Sequence, residues 1–229
     1  MSRISVIIPV LNEAGTILRC LDPLVKGRES FEVIVVDGGS ADGTADLVRG
    51  VPGVRLIFGD RPGRAAQMNA GARASAGDVF LFLHADTQLP DDAAALIRRS
   101  LEDPGVVGGR FRLRVSGARF VYFWIGLFST WRSRFLNVTY GDQAIYARRT
   151  AFEQVGGFPD LPLFEDAEFC ARLSRLGRFV MLRADAVTSA RRWERCGVFR
   201  TILRMWMLKL LHGLSVSSER LARYYRNVR

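Results

Sequence analysis

Four short stretches of this chain set carboxylates, glycines or arginines at spacings that can do chemistry. Asp37-Gly38-Gly39-Ser40-Ala41-Asp42-Gly43-Thr44 follows the apolar run Phe31–Val36. A carboxylate at a strand end can accept from the N–H groups of a polar heterocycle, and glycines let backbone approach closely. The plainer alternative is an Asp-Gly turn that caps a helix. The stretch lacks the G-x-G-x-x-G of a dinucleotide site, and Gly43 rather than Lys precedes Thr44, so it is no P-loop. Leu83-His84-Ala85-Asp86-Thr87 ends a second apolar run. Asp86 there suits Mg2+, which takes oxygen ligands and often keeps only one or two carboxylates plus substrate phosphates. A turn or helix cap would use the same residue.

The third stretch, Leu163-Phe164-Glu165-Asp166-Ala167-Glu168, sets two adjacent carboxylates at a helix start. The helix dipole is expected to lower their pKa values, and capping is the alternative. The turn Gly156-Gly157-Phe158-Pro159 could deliver this helix to a site. The fourth, Ser189-Ala190-Arg191-Arg192-Trp193-Glu194-Arg195, offers planar guanidinium forks that suit a diphosphate. Trp193 could pack on a guanidinium or a sugar face. A solvated basic loop is the alternative.

The elements that must position these stretches alternate. Ile4–Pro9, Phe31–Val36, Val54–Phe58 and Val79–Leu83 read as buried strands. Between them run helices from about Glu13 to Val25 with Asn12 as cap, from Thr44, and over Ala65–Ala74; another spans Pro90–Leu101. This pattern predicts an α/β fold, a Rossmann-like open, mostly parallel sheet with helices on both faces. Ligands of such sheets bind at the carboxyl ends of the strands, where Asn12-Glu13, Asp37 and His84-Ala85-Asp86 fall. The second half reads as strands over Val106–Val115, Val138–Ala147 and Phe179–Leu182. Helices are expected over Phe120–Phe135, Glu165–Leu176 (with Phe169, Leu173 and Leu176 on one face), Val198–Leu214 and Glu219–Arg226. Residues 1–196 are expected to form one domain and 197–229 a basic, aromatic helical extension.

The composition is that of a folded chain: 229 residues, 48% hydrophobic and 24% charged. The net charge of +10 is uneven, with 11 Lys and Arg against 3 Asp and Glu from Arg183 onward. Such a tail suits an anionic partner: phosphate, an acidic membrane surface or nucleic acid. Cys20, Cys170 and Cys196 are too scattered for a zinc site or a disulfide framework. With no signal-peptide pattern at the start, a cytoplasmic chain is expected. The apolar run Phe120–Trp131 is too short to span a bilayer, which takes ~20 residues. With Arg132 and Arg134, and with the mixed segment Ile202–Leu211, it suits peripheral contact with the inner face of a cell membrane. Packing on the sheet, or a homodimer contact, is the alternative.

Taken in order, the motifs from Ile4 to Arg195 resemble the family 2 glycosyltransferases of the GT-A fold. Ile7-Ile8-Pro9-Val10-Leu11-Asn12-Glu13 looks like the family's first-strand motif, and the resemblance implies nucleotide contacts for Pro9, Asn12 and Glu13. It implies base binding for Asp37 and Gly39. Gly63-Arg64-Ala65-Ala66-Gln67-Met68-Asn69-Ala70-Gly71 is similar to the helix whose Arg64 and Asn69 approach the nucleotide. Asp86 matches the metal-binding end of an Asp-x-Asp motif, so Mg2+ or Mn2+ is implied as cofactor. Gly141-Asp142-Gln143 sits where acceptor-site residues occur. Glu165-Asp166 resembles the "ED" pair, with Asp166 the catalytic base and Glu165 its helper. Arg191-Arg192-Trp193 is similar to the basic motif near the leaving diphosphate, which implies diphosphate contacts for Arg192 and Trp193. The chain departs from the pattern at His84, which replaces the first Asp; with Ala85 it would lie at the nucleotide. His84 could bond a ribose, ligate Mn2+, or simply be a satisfied strand-end residue. A short subgroup, often described as arsenosugar-type glycosyltransferases, resembles this chain in carrying Leu-His-Ala-Asp-Thr.

The resemblance implies inverting transfer from a nucleotide-diphosphate sugar, with a UDP-sugar favoured and a GDP-sugar possible, to an acceptor hydroxyl; membrane contact of the two apolar segments would favour a lipid-linked or hydrophobic acceptor. A nucleotidyltransferase is disfavoured because the first loop carries Glu13 and no cation before Arg19. A nucleotide-sugar-binding protein without catalysis is the alternative that His84 permits. Nucleic-acid binding has only charge in its favour, with no recognised motif.

Overall fold

The structure is a computed structural model. It describes residues 2–27, 31–61, 63–117, 119–136, 141–213, 216–218 and 220–222, without the side chains of 132–136, Arg192, 205, 206, 209, 210, 212 and 213. The chain begins with β1 (Ile4–Val10), α1 (Ile17–Lys26), β2 (Glu32–Asp37), α2 (Thr44–Arg49), β3 (Val54–Phe58), α3 (Arg64–Ala74) and β4 (Val79–Phe82). It continues with β5 (Thr87–Gln88), α4 (Ala93–Ser100), β6 (Val106–Val115), α5 (Phe120–Leu136), a 3-10 turn (Gly141–Gln143), β7 (Ile145–Arg148) and α6 (Arg149–Gln154). It ends with α7 (Glu165–Leu176), β8 (Arg178–Thr188), α8 (Arg191–Cys196) and α9 (Val198–Gly213).

Among the described residues the strands form one sheet in the order β3-β2-β1-β4-β7-β6-β8-β5. β3, β2, β1 and β4 run parallel, as do β6 and β8. β7 is antiparallel to both β4 and β6, and β5 is antiparallel to β8. β1, β2 and β4 are apolar along nearly their whole length because both their faces are covered. Ile4, Val6, Ile8 and Val10 of β1 pack with Ile17 and Leu21 of α1 and Ile97 of α4 on one face. Ile7, Ile34 and Val36 pack with Met68 of α3, Phe152 of α6 and Phe169 of α7 on the other. The last β1–β4 partners are Ile7 and Phe82, so Pro9 lies past that ladder and its missing N–H costs no bond there. α3 lies close on the sheet through Gly71, where a Cβ would collide with the Ile7 and Val36 side chains. That contact aims the start of α3, and with it Arg64, at the strand ends.

The expected alternation holds, with corrections at boundaries. The first helix starts at Ile17, because Asn12 has a left-handed backbone (φ 55) and pairs with the next loop instead of capping. The helix expected from Pro90 begins at Ala93. The expected strand Val138–Ala147 is Ile145–Arg148 in what is described, preceded by the 3-10 turn; residues 137–140 lie outside the description. β8 is far longer than Phe179–Leu182 because it pairs along nearly the whole of β6. Leu176, beside the closing Gly177, is exposed while Phe169 and Leu173 are buried. The basic segment from Arg191 is a helix rather than a loop. The expected helix Glu219–Arg226 lies mostly outside the described residues.

Candidate active site

At the carboxyl ends of β1 and β2, two loops are laced together. Asn12 Oδ1 accepts from the Ala41 amide at 2.9 Å, and the Asn12 amide donates to Ser40 Oγ at 2.9 Å. The amides of Glu13 and Ala14 donate to Thr44 Oγ1 and Asp42 Oδ2. Within this frame Asp37 is buried, and its Oδ1 accepts from the amides of Gly39 and Ser40, both at 2.7 Å. Its Oδ2 is buried and has no hydrogen-bond partner among the described residues. A buried carboxylate oxygen without a donor is costly unless a ligand supplies one. Gln67 of α3 closes the frame from beneath by donating to the carbonyls of Val10 and Val36, both at 2.8 Å.

A second cluster forms where α7 meets α3. Glu165 and Asp166 are buried at the first turn of α7. Arg64 donates from Nε to Glu165 Oε1 at 2.6 Å and from Nη2 to Asp166 Oδ2. The Gly141 amide also donates to Asp166 Oδ2, at 3.0 Å. Only glycine fits there, since a Cβ on Gly141 would lie 2.5 Å from His84 Nε2 and 2.8 Å from Asp166 Oδ2. Asp166 Oδ1 is buried without a hydrogen-bond partner among the described residues. Burial pushes the Asp166 carboxyl up to about 7; the Arg64 guanidinium and the Gly141 amide pull it down, while Glu165 and Asp142 add to the rise. The expectation that the helix dipole would lower this carboxyl is therefore corrected: desolvation outweighs a terminal dipole worth ~0.3–1 kcal/mol. Arg64 Nη1 lies 3.0 Å from His84 Nε2. A guanidinium nitrogen only donates, so in this contact His84 Nε2 is the acceptor.

A third cluster lies on the other side of the His84-Ala85-Asp86 segment. Arg191 Nη2 binds Glu13 Oε2 and lies 3.7 Å from Asp86 Oδ2. Both carboxylates are partly exposed, at 24% and 23%, unlike the buried pair on α7. They face the buried Cys20 thiol, which desolvation first and then the charges of Asp86 and Glu13 hold far above its ordinary range. Asp86 can therefore give an oxygen ligand to a cation from a half-open position. Among the described residues no group of three His, Cys, Asp or Glu side chains is arranged to hold a metal ion. A divalent ion at Asp86 would take most of its ligands from phosphate and water, as Mg2+ commonly does.

Backbone strain concentrates at these clusters. Among the described residues, the non-glycine positions with left-handed backbone are Asn12, Ala144 and Phe164. Each adjoins a cluster: Asn12 precedes Glu13, Ala144 follows the Gly141 turn, and Phe164 precedes Glu165. Such conformations cost about 1–3 kcal/mol each and persist where packing overrides them. Phe164 is held by Leu208 and Leu221.

The structure thus brings Arg64, His84, Gly141, Asp142, Glu165 and Asp166 together, and links Glu13 to Asp86. Other expected residues turn elsewhere. Asn69 exchanges two 2.9 Å hydrogen bonds with the Phe158 backbone, so its amide fixes the Gly157-Phe158 turn. Ala85 is buried in the core, and Pro9, the next-to-last residue of β1, has an apolar side chain. Trp193 packs against Val115, Tyr122 and Ile125 instead of facing the diphosphate side. The Arg192 side chain lies outside the description; among the described residues Arg191 reaches Glu13 and Asp86. Sequence reasoning included Arg191 in the basic motif but gave Gln67 no role. The only signal for Gln67 was a polar residue on the buried side of an alanine-rich helix, one turn from Arg64.

Comparison with known proteins gives the family and the fold. A profile of "Glycosyl transferase family 2" matches residues 5–156. The chain is 27% identical over 218 residues to "Probable glycosyltransferase YdaM" of Bacillus subtilis, covering 85% of this chain and 51% of that protein. It is 31% identical over 122 residues to an undecaprenyl-phosphate 4-deoxy-4-formamido-L-arabinose transferase of Aeromonas hydrophila, covering 48% and 37%. Its fold is similar to that of the mannosyltransferase PcManGT from Pyrobaculum calidifontis in complex with GDP-Man and Mn2+. The TM-score is 0.67 at 26% identity, over 81% of this chain and 56% of that one. The chain spans about half the length of YdaM and of PcManGT, and less of the Aeromonas transferase. The profile covers more than half of the chain, so the chain belongs to glycosyl transferase family 2, with the GT-A fold.

Proposed function

We propose that this chain moves a sugar from a nucleoside-diphosphate donor to an acceptor hydroxyl by single displacement with inversion. The observation that carries the reading is Asp166: one oxygen is fixed by Gly141 and Arg64, and the other is buried and presented without a donor. In this reading Asp37 Oδ2 accepts from the donor's base, with the laced loops of Asn12-Glu13 and Gly39-Ser40 holding it. Asp86 would hold Mg2+ or Mn2+ together with the diphosphate, and the ion would supply charge neutralisation for the leaving group. Arg191 adds a guanidinium on the same side, the role expected of Arg192. Asp166 Oδ1 takes the acceptor's hydroxyl proton as that oxygen bonds to the anomeric carbon. The bond from that carbon to the phosphate oxygen breaks, and the nucleoside diphosphate leaves with the electron pair. Glu165 and Arg64 orient Asp166, and Asp142 lies beside the acceptor.

Two relatives inform the substrates. The PcManGT complex holds GDP-Man, which puts a guanosine donor level with the uridine donor expected from the sequence. The Aeromonas relative is named for undecaprenyl phosphate, which supports a lipid-linked acceptor. The test is a panel of UDP- and GDP-sugars with Mg2+, Mn2+ or chelator, read by thermal shift and nucleotide release. Metal-dependent stabilisation and release with one donor is expected. Stabilisation with every acceptor class supplied but no release would make the chain a binding protein.

A further inference from the structure

α5 is apolar on both sides. Tyr122, Ile125 and Gly126 face inward, and Gly126 lies so near the Leu113 carbonyl that a Cβ would be 2.8 Å from it. The outer side carries Phe120, Phe123, Trp124, Leu127, Phe128 and Trp131, at the three- and four-residue spacing of a single helix face. Their exposure is high, 74% for Phe120 and 63% for Phe128. The rings form a ladder, with Phe120–Phe123, Phe123–Trp124 and Trp124–Phe128 centroids about 6 Å apart. α9 repeats the pattern: Val198, Thr201 and Leu208 are buried, while Phe199 (85%), Leu203 (72%) and Met207 point out. An open apolar crevice lined by Arg119, Phe120, Val121, Gly197, Val198 and Phe199 joins the starts of the two helices. The two outer faces therefore adjoin.

Charge says what covers this surface. Residues 116–136 and 195–218 contain no Asp or Glu, but include Arg119, Arg132, Arg134, Arg195, Arg200, Arg204 and Lys209. Arg119, Arg195 and Arg200 are exposed. A second copy of the same acid-free face would meet like charge with like. An anionic bilayer meets both features, since aromatic rings settle at the headgroup level and cations add attraction to acidic lipid. No described helix is long and apolar enough to cross a membrane, so such a face lies on the bilayer. We infer that the outer faces of α5 and α9 form one docking surface for an anionic lipid bilayer. α8 begins with Arg191, and Gly197 alone separates it from α9, so the surface starts close to the Asp86 side of the site. Delivery of a lipid-borne acceptor by this surface rests on the proposed sugar transfer; the docking itself does not.

The test is sedimentation with phosphatidylcholine vesicles, with and without about a third phosphatidylglycerol. The full chain is compared with the triple variant Phe123→Ser/Phe128→Ser/Leu203→Ser and the charge variant Arg119→Glu/Arg200→Glu. The full chain is expected to partition at least ~10-fold more onto the anionic vesicles, and each variant to lose at least ~10-fold of that binding. Melting temperature and donor-dependent nucleotide release should stay unchanged, which separates failure of docking from failure of catalysis. Should the triple variant not fold, the charge variant decides alone. The inference is overturned if the full chain stays in the supernatant, or if the folded variants bind as well as it does. It is also overturned if the full chain sediments as a dimer, without vesicle binding, and the triple variant as a monomer.

Discussion

Asp37 and Asp166 are the same residue type, equally buried, and each has one oxygen fixed by backbone amides and the other presented without a partner. Their surroundings differ. Asp37 sits in a loop of amides and hydroxyls at the end of β2. Asp166 sits against Arg64, Glu165 and Asp142, and burial holds its carboxyl at about 7. The lesson is that the neighbours assign the role. An aspartate among neutral donors is set to read hydrogen bonds, whereas one among charges in a dry site is set to take a proton near neutral pH.

The comparison breaks most visibly at Asp166. Asp166→Asn keeps the shape and removes the base, so turnover should fall by ~10²–10⁴-fold while donor affinity stays within a fewfold. Steady-state rates beside donor titration calorimetry would show this split. Next comes Asp86→Ala, expected to remove metal stimulation and lower turnover on the order of 10²-fold, measured as a Mn2+ titration of nucleotide release. Asp37→Asn should show the opposite split to Asp166→Asn. It presents an N–H where the base needs an acceptor, so donor affinity should fall by ~10–10²-fold with turnover at saturation little changed. A loss of turnover without loss of affinity would erase the distinction between the two aspartates.

The smallest effect is on stability. The folded state raises the Asp166 pKa, so the protonated form is favoured in the fold. The associated stability is present at low pH and is lost as pH rises through about 7. Asp166→Asn removes that loss. Its melting temperature should gain on wild type by at least ~2–4 °C between about pH 6 and about pH 8.5, by calorimetry at both.

Much of this was legible in the sequence because the signals were local. β-branched runs marked β1 and β2, and a carboxylate at the end of each apolar run marked Asp37 and Asp86. Glu165-Asp166 at a helix start was visible as a pair. What was not legible depended on contacts distant in sequence. The pairing of Arg64 with a carboxylate pair about a hundred residues on decides the charge environment of the base, and no spacing rule reports it. The place of Trp193 turned on α8 being a helix, which sends its ring into the packing under α5. The direction of the Asp166 shift needed the depth of burial, which a helix-terminus argument does not contain. Asn69 and Asn12 were placed in the right region, but their hydrogen bonds go to backbone across the fold.

The most direct test of the claim that Asp166 is the base is the pH dependence of the single-turnover transfer rate, with donor, metal and acceptor saturating and Asp166→Asn alongside. The carboxylate must be ionised to take the proton, so the wild-type rate should fall tenfold per pH unit below about 7 and level off above it. The residual rate of Asp166→Asn should lack that limb. A wild-type rate that stays flat from about pH 5.5 to about pH 8, or a variant that keeps the limb, would contradict the assignment.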